Sequence, residues 1–306
     1  MQSTLRSSAR FLGTGLHTGR PVRMTVCPAE PGEGIRFRRT DIADLDNVVP
    51  ARWDLVEQTP LCTKLVNADG VTISTVEHLM AALAGLGIQN ALIDIDGPEV
   101  PILDGSAAPF VKGLLAHGIR AQDVPLKALK ILKPVEVRQD AAVARLEPAG
   151  ALEIDFEIDF DEQAIGHQER RLNMRNGAFV RELCTSRTFC LQSDVDAMRA
   201  HGLALGGSLD NAVVFENGRV LSPGGLRHAD EPVRHKMLDA VGDLALAGAP
   251  ILGRYSGTRA GHAMTNRLLR ALFADPTAYE WVEVDPETEL GLPGIGVGQY
   301  DLALSA

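Results

Sequence analysis

Residues 152–160 alternate apolar and acidic side chains, Leu152-Glu153-Ile154-Asp155-Phe156-Glu157-Ile158-Asp159-Phe160. A strand points successive side chains to opposite faces, so this period of two predicts a strand with one buried face and one acidic, wet face. Just upstream, Val135-Glu136-Val137-Arg138 and Ala142-Val143-Ala144-Arg145-Leu146 read as two more strands joined by a turn, the start of an antiparallel meander. Nearer the N-terminus, Ala91-Leu92-Ile93-Asp94-Ile95-Asp96 reads as a strand ending at a Gly-Pro turn. Residues 13–19, with Gly13, Gly15 and Gly19, read as a loop between short strands.

Helical periodicity covers 74–84, 108–117, 175–183, 194–201, 232–247 and 260–273. In 232–247, Met237, Leu238, Val241, Leu244 and Ala245 fall on one side of the helix. His235, Asp239 and Asp243, at i, i+4 and i+8, drift only about 80° around the axis and form a polar stripe. Ser74, followed three residues later by Glu77, reads as a capping box opening the first helix. Strands and helices mixed in this way predict an α+β fold of two layered α/β sandwich domains, 1–124 and 125–306. The boundary falls at Gln122-Asp123-Val124-Pro125.

Composition narrows the partners. A chain of 306 residues, 45% hydrophobic and 23% charged, is long enough for two cores and shows no bias toward disorder. Its formal charge of −10 and lack of basic runs speak against nucleic acid as a partner, so an anionic ligand needs a local basic pocket. Cys27, Cys62, Cys184 and Cys190 form no CxxC pair and are too sparse for a disulfide scaffold, which fits a reducing cytoplasm. The N-terminus lacks the apolar core of a secretory signal and reads as part of the fold. The uncharged run 244–253 is far below the roughly 18 residues of a membrane span, so no transmembrane anchor is expected and any membrane contact is peripheral.

The polar stripe carries the candidate chemistry. A His and a carboxylate one turn apart can share a metal, form an intrahelical pair or simply face water. His78 would add a third ligand and the adjacent Glu77 a general base, against the plainer reading of a capping Glu and an ordinary His. His262, at the start of the last helix, could protonate a leaving group while Asp243 fixes its tautomer, or be structural. Thr188, in Ser186-Arg187-Thr188-Phe189, could donate to a developing oxyanion or be satisfied by backbone. One carboxylate and two neutral imidazoles leave a divalent zinc net positive, able to lower the pKa of water to about 7, which suits amide or ester hydrolysis.

Seven segments in order resemble the UDP-3-O-acyl-N-acetylglucosamine deacetylase family, zinc amidases of lipid A biosynthesis, across nearly the whole chain. They are Gly15-Leu16-His17-Thr18-Gly19, Ser74-Thr75-Val76-Glu77-His78-Leu79, Pro101-Ile102-Leu103-Asp104-Gly105-Ser106-Ala107-Ala108-Pro109-Phe110, Ser186-Arg187-Thr188-Phe189, Leu205-Gly206-Gly207-Ser208-Leu209-Asp210-Asn211, Arg234-His235-Lys236-Met237-Leu238-Asp239 and Gly261-His262-Ala263. The resemblance implies two similar α+β domains, each with an insert and with the active site between them. It implies zinc on His78, His235 and Asp239, with iron(II) as an alternative metal. Glu77 becomes the general base, His262 a cationic acid oriented by Asp243, and Thr188 and Lys236 the oxyanion donors. The second insert, near 191–211, would form an acyl passage lined by Phe189, Val195, Met198, Leu203 and Ala212, with Leu61 also contacting substrate. Apolar core is the plainer reading of these side chains.

Two positions depart from the family pattern. Cys190 stands where the family usually has Gly, implying either a narrower passage entrance or a less free backbone there, which leaves the preferred acyl length open. Arg259 stands where many relatives carry Lys; a guanidinium there can chelate the UDP phosphates or remain solvated. The resemblance further implies UDP-3-O-acyl-N-acetylglucosamine and water as substrates; a cytoplasmic protein is expected, a monomer by default since the sequence does not fix the oligomeric state. Two rivals remain: two histidines and a carboxylate also make the facial triad of non-haem iron oxygenases, and a binding protein could use a structural metal with four protein ligands. Glu77 beside His78 favours hydrolysis over the first, and Glu77 together with His262 argues against the second.

Overall fold

In a computed structural model describing residues 1–59, 61–298 and 300–301, the alternating segment forms the strand Glu153–Asp159. Ile154, Phe156 and Ile158 on its inner face are buried. Its acidic face is only partly wet, because Glu153 takes hydrogen bonds from Arg171 and Arg254, and Glu157 from Thr258. The strand pairs antiparallel with His167–Asn173 and parallel with Ile251–Thr258. Ile251–Thr258 also joins the meander Val135–Gln139 and Ala142–Pro148 to Lys127–Ile131 and Tyr279–Glu283, completing a seven-stranded sheet.

The N-terminal half builds a five-stranded sheet in the order Ala9–Thr14, Pro21–Pro28, Ala91–Ile95, Ile35–Arg39, Val48–Pro50. Each half also carries a small inserted sheet. The first is Val56–Glu57, Lys64–Val66 and Thr72–Ser74; the second is Phe189–Leu191, Val213–Glu216 and Arg219–Val220.

Among the described residues six α-helices accompany the sheets: α1 Glu77–Gly85, α2 Ala108–His117, α3 Gln192–Ala200, α4 Glu231–Ala245, α5 His262–Ala274 and α6 Pro286–Glu289. α2 covers the first sheet, where Phe110 meets Phe11 edge-on at 5.3 Å, and α4 and α5 cover the second. α1 packs against α4, so the helical layers of the two halves face each other. The arrangement is α+β, two layered halves each with an insert. Both faces of α4 are buried, the apolar residues in the core and the polar stripe against α1 and α5. Among the described residues no helix is long and apolar enough to cross a membrane.

Two local expectations are corrected. Ser74 is not an N-cap: it ends a strand, its N–H bonds the Pro98 carbonyl, its C=O accepts from Val100, and its hydroxyl also goes to Pro98. Thr75 then turns at φ +58° and the helix starts only at Glu77, because the backbone of residue 74 is committed to a bridge with Glu99. The helix expected over 175–183 is instead one wide π-type turn, Phe179–Leu183, closed by Cys184 N–H donating to the Phe179 carbonyl at 2.9 Å.

Candidate active site

The first turn of α1, the middle of α4 and the start of α5 converge on one point. Their close approach depends on Gly242: a β-carbon there would lie 2.0 Å from the Glu77 carbonyl oxygen, so only glycine lets α4 touch the start of α1. The ligating atoms of His78, His235 and Asp239 all lie within 4.8 Å of one another. Asp239 Oδ1 sits 3.6 Å from His78 Nε2 and 3.3 Å from His235 Nε2.

The donor chemistry fits a divalent metal. His235 Nδ1 lies 3.0 Å from the Ser186 carbonyl, which can only accept, so Nδ1 carries the proton and the Nε2 lone pair faces the cluster. Burial holds both imidazoles neutral: His78 is pushed down to about 3, with His235 adding to the effect, and His235 is lowered as well. Burial opposes ionisation of Asp239, but His235, Lys236 and His262 outweigh it and keep it a carboxylate. Its Oδ1 is buried with no hydrogen-bond partner, and such an orphaned anionic oxygen is costly unless a cation meets it. Cys62 lines the same recess, but burial pushes its thiol up to about 12, so it offers no thiolate.

Beside the cluster stand Glu77 and His262. Burial drives the Glu77 carboxyl up to about 7, against the opposing pull of His262. For His262 burial disfavours the charged form, yet Asp243, Glu77 and Asp239 outweigh it and raise the imidazole to about 9. Asp243 Oδ2 binds His262 Nδ1 at 2.9 Å, leaving Nε2 toward Glu77 Oε1 at 3.8 Å. Thr63 fixes both carboxylates, donating its N–H to Glu77 Oε2 at 3.1 Å and its hydroxyl to Asp243 Oδ1 at 2.5 Å. Lys236 Nζ lies 3.0 Å from Asp239 Oδ2; burial disfavours its charge, but Asp239, with Asp243 and Glu77, outweighs it and keeps the lysine charged. Thr188 spends its backbone on Gly105 and Val213, and its side chain lines the cavity.

Beside this point lies a cavity of about 680 Å³, lined by residues of the second insert together with His235, Lys236, Asp239 and His262. Leu61, Phe189, Val195, Met198 and Ala212 line it, and Cys190 lies on its wall. Leu203 is not among the lining residues. Its N–H bonds the Met198 carbonyl in the turn after α3, while Leu191, Leu209 and Leu221 supply the apolar wall. Arg259 also lies outside the lining and ion-pairs with Asp159, whose neighbour Phe160 stands on the cavity wall. Sequence reasoning gave no role to Thr63 or to the Ser186 carbonyl. Thr63 is 180 positions from Asp243, and no local pattern links them.

A family model described as UDP-3-O-acyl N-acetylglycosamine deacetylase matches residues 2–274. The chain belongs to that family. Relatives bearing the name UDP-3-O-acyl-N-acetylglucosamine deacetylase include one from Phenylobacterium zucineum, 50% identical over 91% of this chain and 95% of its own. Another from Shewanella frigidimarina is 46% identical over 94% and 95%, and one from Histophilus somni 45% identical over the same shares. The match thus spans α1, α4 and the start of α5, which hold the cluster, and both inserts.

Proposed function

We propose that this protein hydrolyses the N-acetyl amide of UDP-3-O-(3-hydroxyacyl)-N-acetylglucosamine, releasing acetate and UDP-3-O-acyl-glucosamine, the committed step of lipid A biosynthesis. The observation that carries the reading is the meeting of the His78, His235 and Asp239 donors with the Glu77–His262 pair beside a largely apolar cavity that His235, Asp239 and His262 also line. An acyl chain fits the cavity while the amide reaches the polar end.

His78, His235 and Asp239 would hold zinc, which when bound polarises a carbonyl and lowers the pKa of water to about 7. Iron(II) suits the same donors. Glu77 takes the proton from water as its oxygen adds to the amide carbon. Lys236 and Thr188 face the oxygen on which negative charge gathers. His262 Nε2 gives its proton to the amine nitrogen as the C–N bond breaks, and Asp243 holds the ring for that transfer. Base and acid carry the right protons together near neutrality, because burial raises Glu77 only to about 7 while its carboxylate neighbours raise His262 to about 9.

The proposal divides the chain into domains 1–124 and 125–306 and places it in the cytoplasm as a monomer, without nucleic acid. Contact with the inner leaflet would be peripheral, through the acyl-binding insert. The test is release of free amine from the UDP-acyl substrate by purified protein, with chelator and with zinc or iron(II) restored, alongside metal analysis. Chelator-sensitive, metal-restored release supports the reading; no release across an acyl-length panel from folded, metal-loaded protein overturns it.

A further inference from the structure

Behind the cavity wall lies a carboxylate that the reaction does not use. Glu99 is 0% exposed, and its two oxygens accept four hydrogen bonds from neutral donors. Oε1 accepts from His17 N–H at 2.8 Å and Thr75 Oγ1 at 3.0 Å, and Oε2 from Thr18 N–H at 2.9 Å and Thr18 Oγ1 at 2.7 Å. The backbone around it is laced to the same two segments. Ser74 N–H bonds Pro98 and Val100 N–H bonds Ser74 on one side; Ile102 N–H bonds the Thr14 carbonyl on the other.

These contacts reach two functional places. Thr75 holds a left-handed φ of +58°, a conformation a β-branched residue adopts only when its surroundings impose it, and it sits two residues before Glu77. The loop at 15–19 forms part of the cavity wall through Leu16 and His17 and carries the insert above it. Gly206 N–H donates to the Leu16 carbonyl at 2.9 Å and Leu205 N–H to the His17 carbonyl at 3.3 Å. No slack remains in the stack: a β-carbon on Gly15 would lie 2.3 Å from Glu99 Oε2, and one on Gly206 would lie 2.3 Å from the Gly15 carbonyl.

We propose that Glu99 is a positioning residue for the deacetylation, tying the turn that launches the base Glu77 to the loop that seats the acyl-binding insert. It thereby fixes the distance between the reacting amide and the cavity that measures the acyl chain. The assignment rests on the deacetylase reading above. Glutamine cannot replace it, because an amide offers one acceptor oxygen and its NH₂ would face a backbone N–H, of His17 or of Thr18, that can only donate.

The experiment compares E99Q with the unsubstituted enzyme on substrates of graded acyl length, measuring kcat and KM per bound metal together with Tm. The expected result is metal content unchanged, kcat lowered about 10²-fold by displacement of the base, and the preference for the best acyl length over shorter chains reduced about tenfold in kcat/KM. A lower Tm with unchanged kcat, KM and acyl preference per metal overturns the proposal, since that is what a merely structural carboxylate would give. Should E99Q not fold, T18A and T75A each remove one hydroxyl from the same carboxylate. Both are expected to shift acyl preference in the same direction, and an unchanged preference in both overturns the assignment. Absence of deacetylation by the unsubstituted enzyme instead overturns the deacetylase reading, so the two failures are distinguishable.

Discussion

His262 Nδ1 lies 2.9 Å from Asp243 Oδ2, and this contact makes the imidazole both oriented and cationic. Because His262 is raised to about 9, it keeps its proton below that pH and loses it above, so activity should fall on the alkaline side. Glu77 must be ionised to accept a proton, so activity should also fall on the acidic side. The profile of kcat/KM is therefore expected to be bell-shaped. Asp243→Asn removes the carboxylate that opposes burial and should move the alkaline limb to lower pH; an unmoved limb would detach Asp243 from His262.

Glu77→Ala and His262→Ala should each lower kcat by roughly 10²-fold or more. Neither residue belongs to the three-donor cluster, so metal content should stay at the unsubstituted level. Near-native kcat in His262→Ala would remove it as the acid.

Arg259 is paired with Asp159 rather than facing the cavity. If the guanidinium exchanges that carboxylate for substrate phosphates, Arg259→Ala raises KM with little change in kcat, and Asp159→Ala, which frees the guanidinium, does not raise it. Unchanged KM in Arg259→Ala would leave the residue a surface ion pair.

Arg187 and Glu231 form a buried pair, with Nε to Oε1 at 2.9 Å and side chains 7% and 0% exposed. Glu231 also accepts from the backbone N–H groups of Arg187 and Arg227. Glu231→Ala leaves the arginine charge buried without a counter-charge, its Nη2 still donating to the Gly225 carbonyl, a loss of about 3–5 kcal/mol that should show as a lowered Tm. Burial opposes ionisation of Glu231, but the Arg187 bonds outweigh it and hold the carboxyl below its ordinary 4.5. A depressed folded-state value stabilises the fold above pH 4.5, and that contribution is lost as pH falls through the lowered value. The difference in stability between the unsubstituted protein and Glu231→Gln should shrink over that acidic range.

The alternation at 152–160 and the stripe on 232–247 were readable because each has the period of its own element, so local pattern and burial agree. His78, which lies 157 and 161 positions before His235 and Asp239, was legible only as an optional third ligand, and the resemblance chose that reading over the plainer one. The capping box at Ser74 misled because a local hydrogen-bonding option lost to a long-range one, the bridge from Ser74 to Glu99. Leu203 misled for a related reason: its chemistry suits an apolar wall, but its backbone is tied into the turn after α3 and Leu191, Leu209 and Leu221 line the cavity instead. Thr63 and Glu99 could not be found by any period, since their partners are set by how loops from distant positions meet.

The contact of Gly242 with the Glu77 backbone has a thermal consequence. The seam between α1 and α4 is closed to less than a methyl group, so base and metal donors share one clearance. A small loosening of the seam on heating would put them out of alignment while both sheets remained intact. Inactivation should therefore precede the cooperative loss of secondary structure, and reverse on cooling. The reaction centre would be the first part of the molecule to register that the halves have begun to separate.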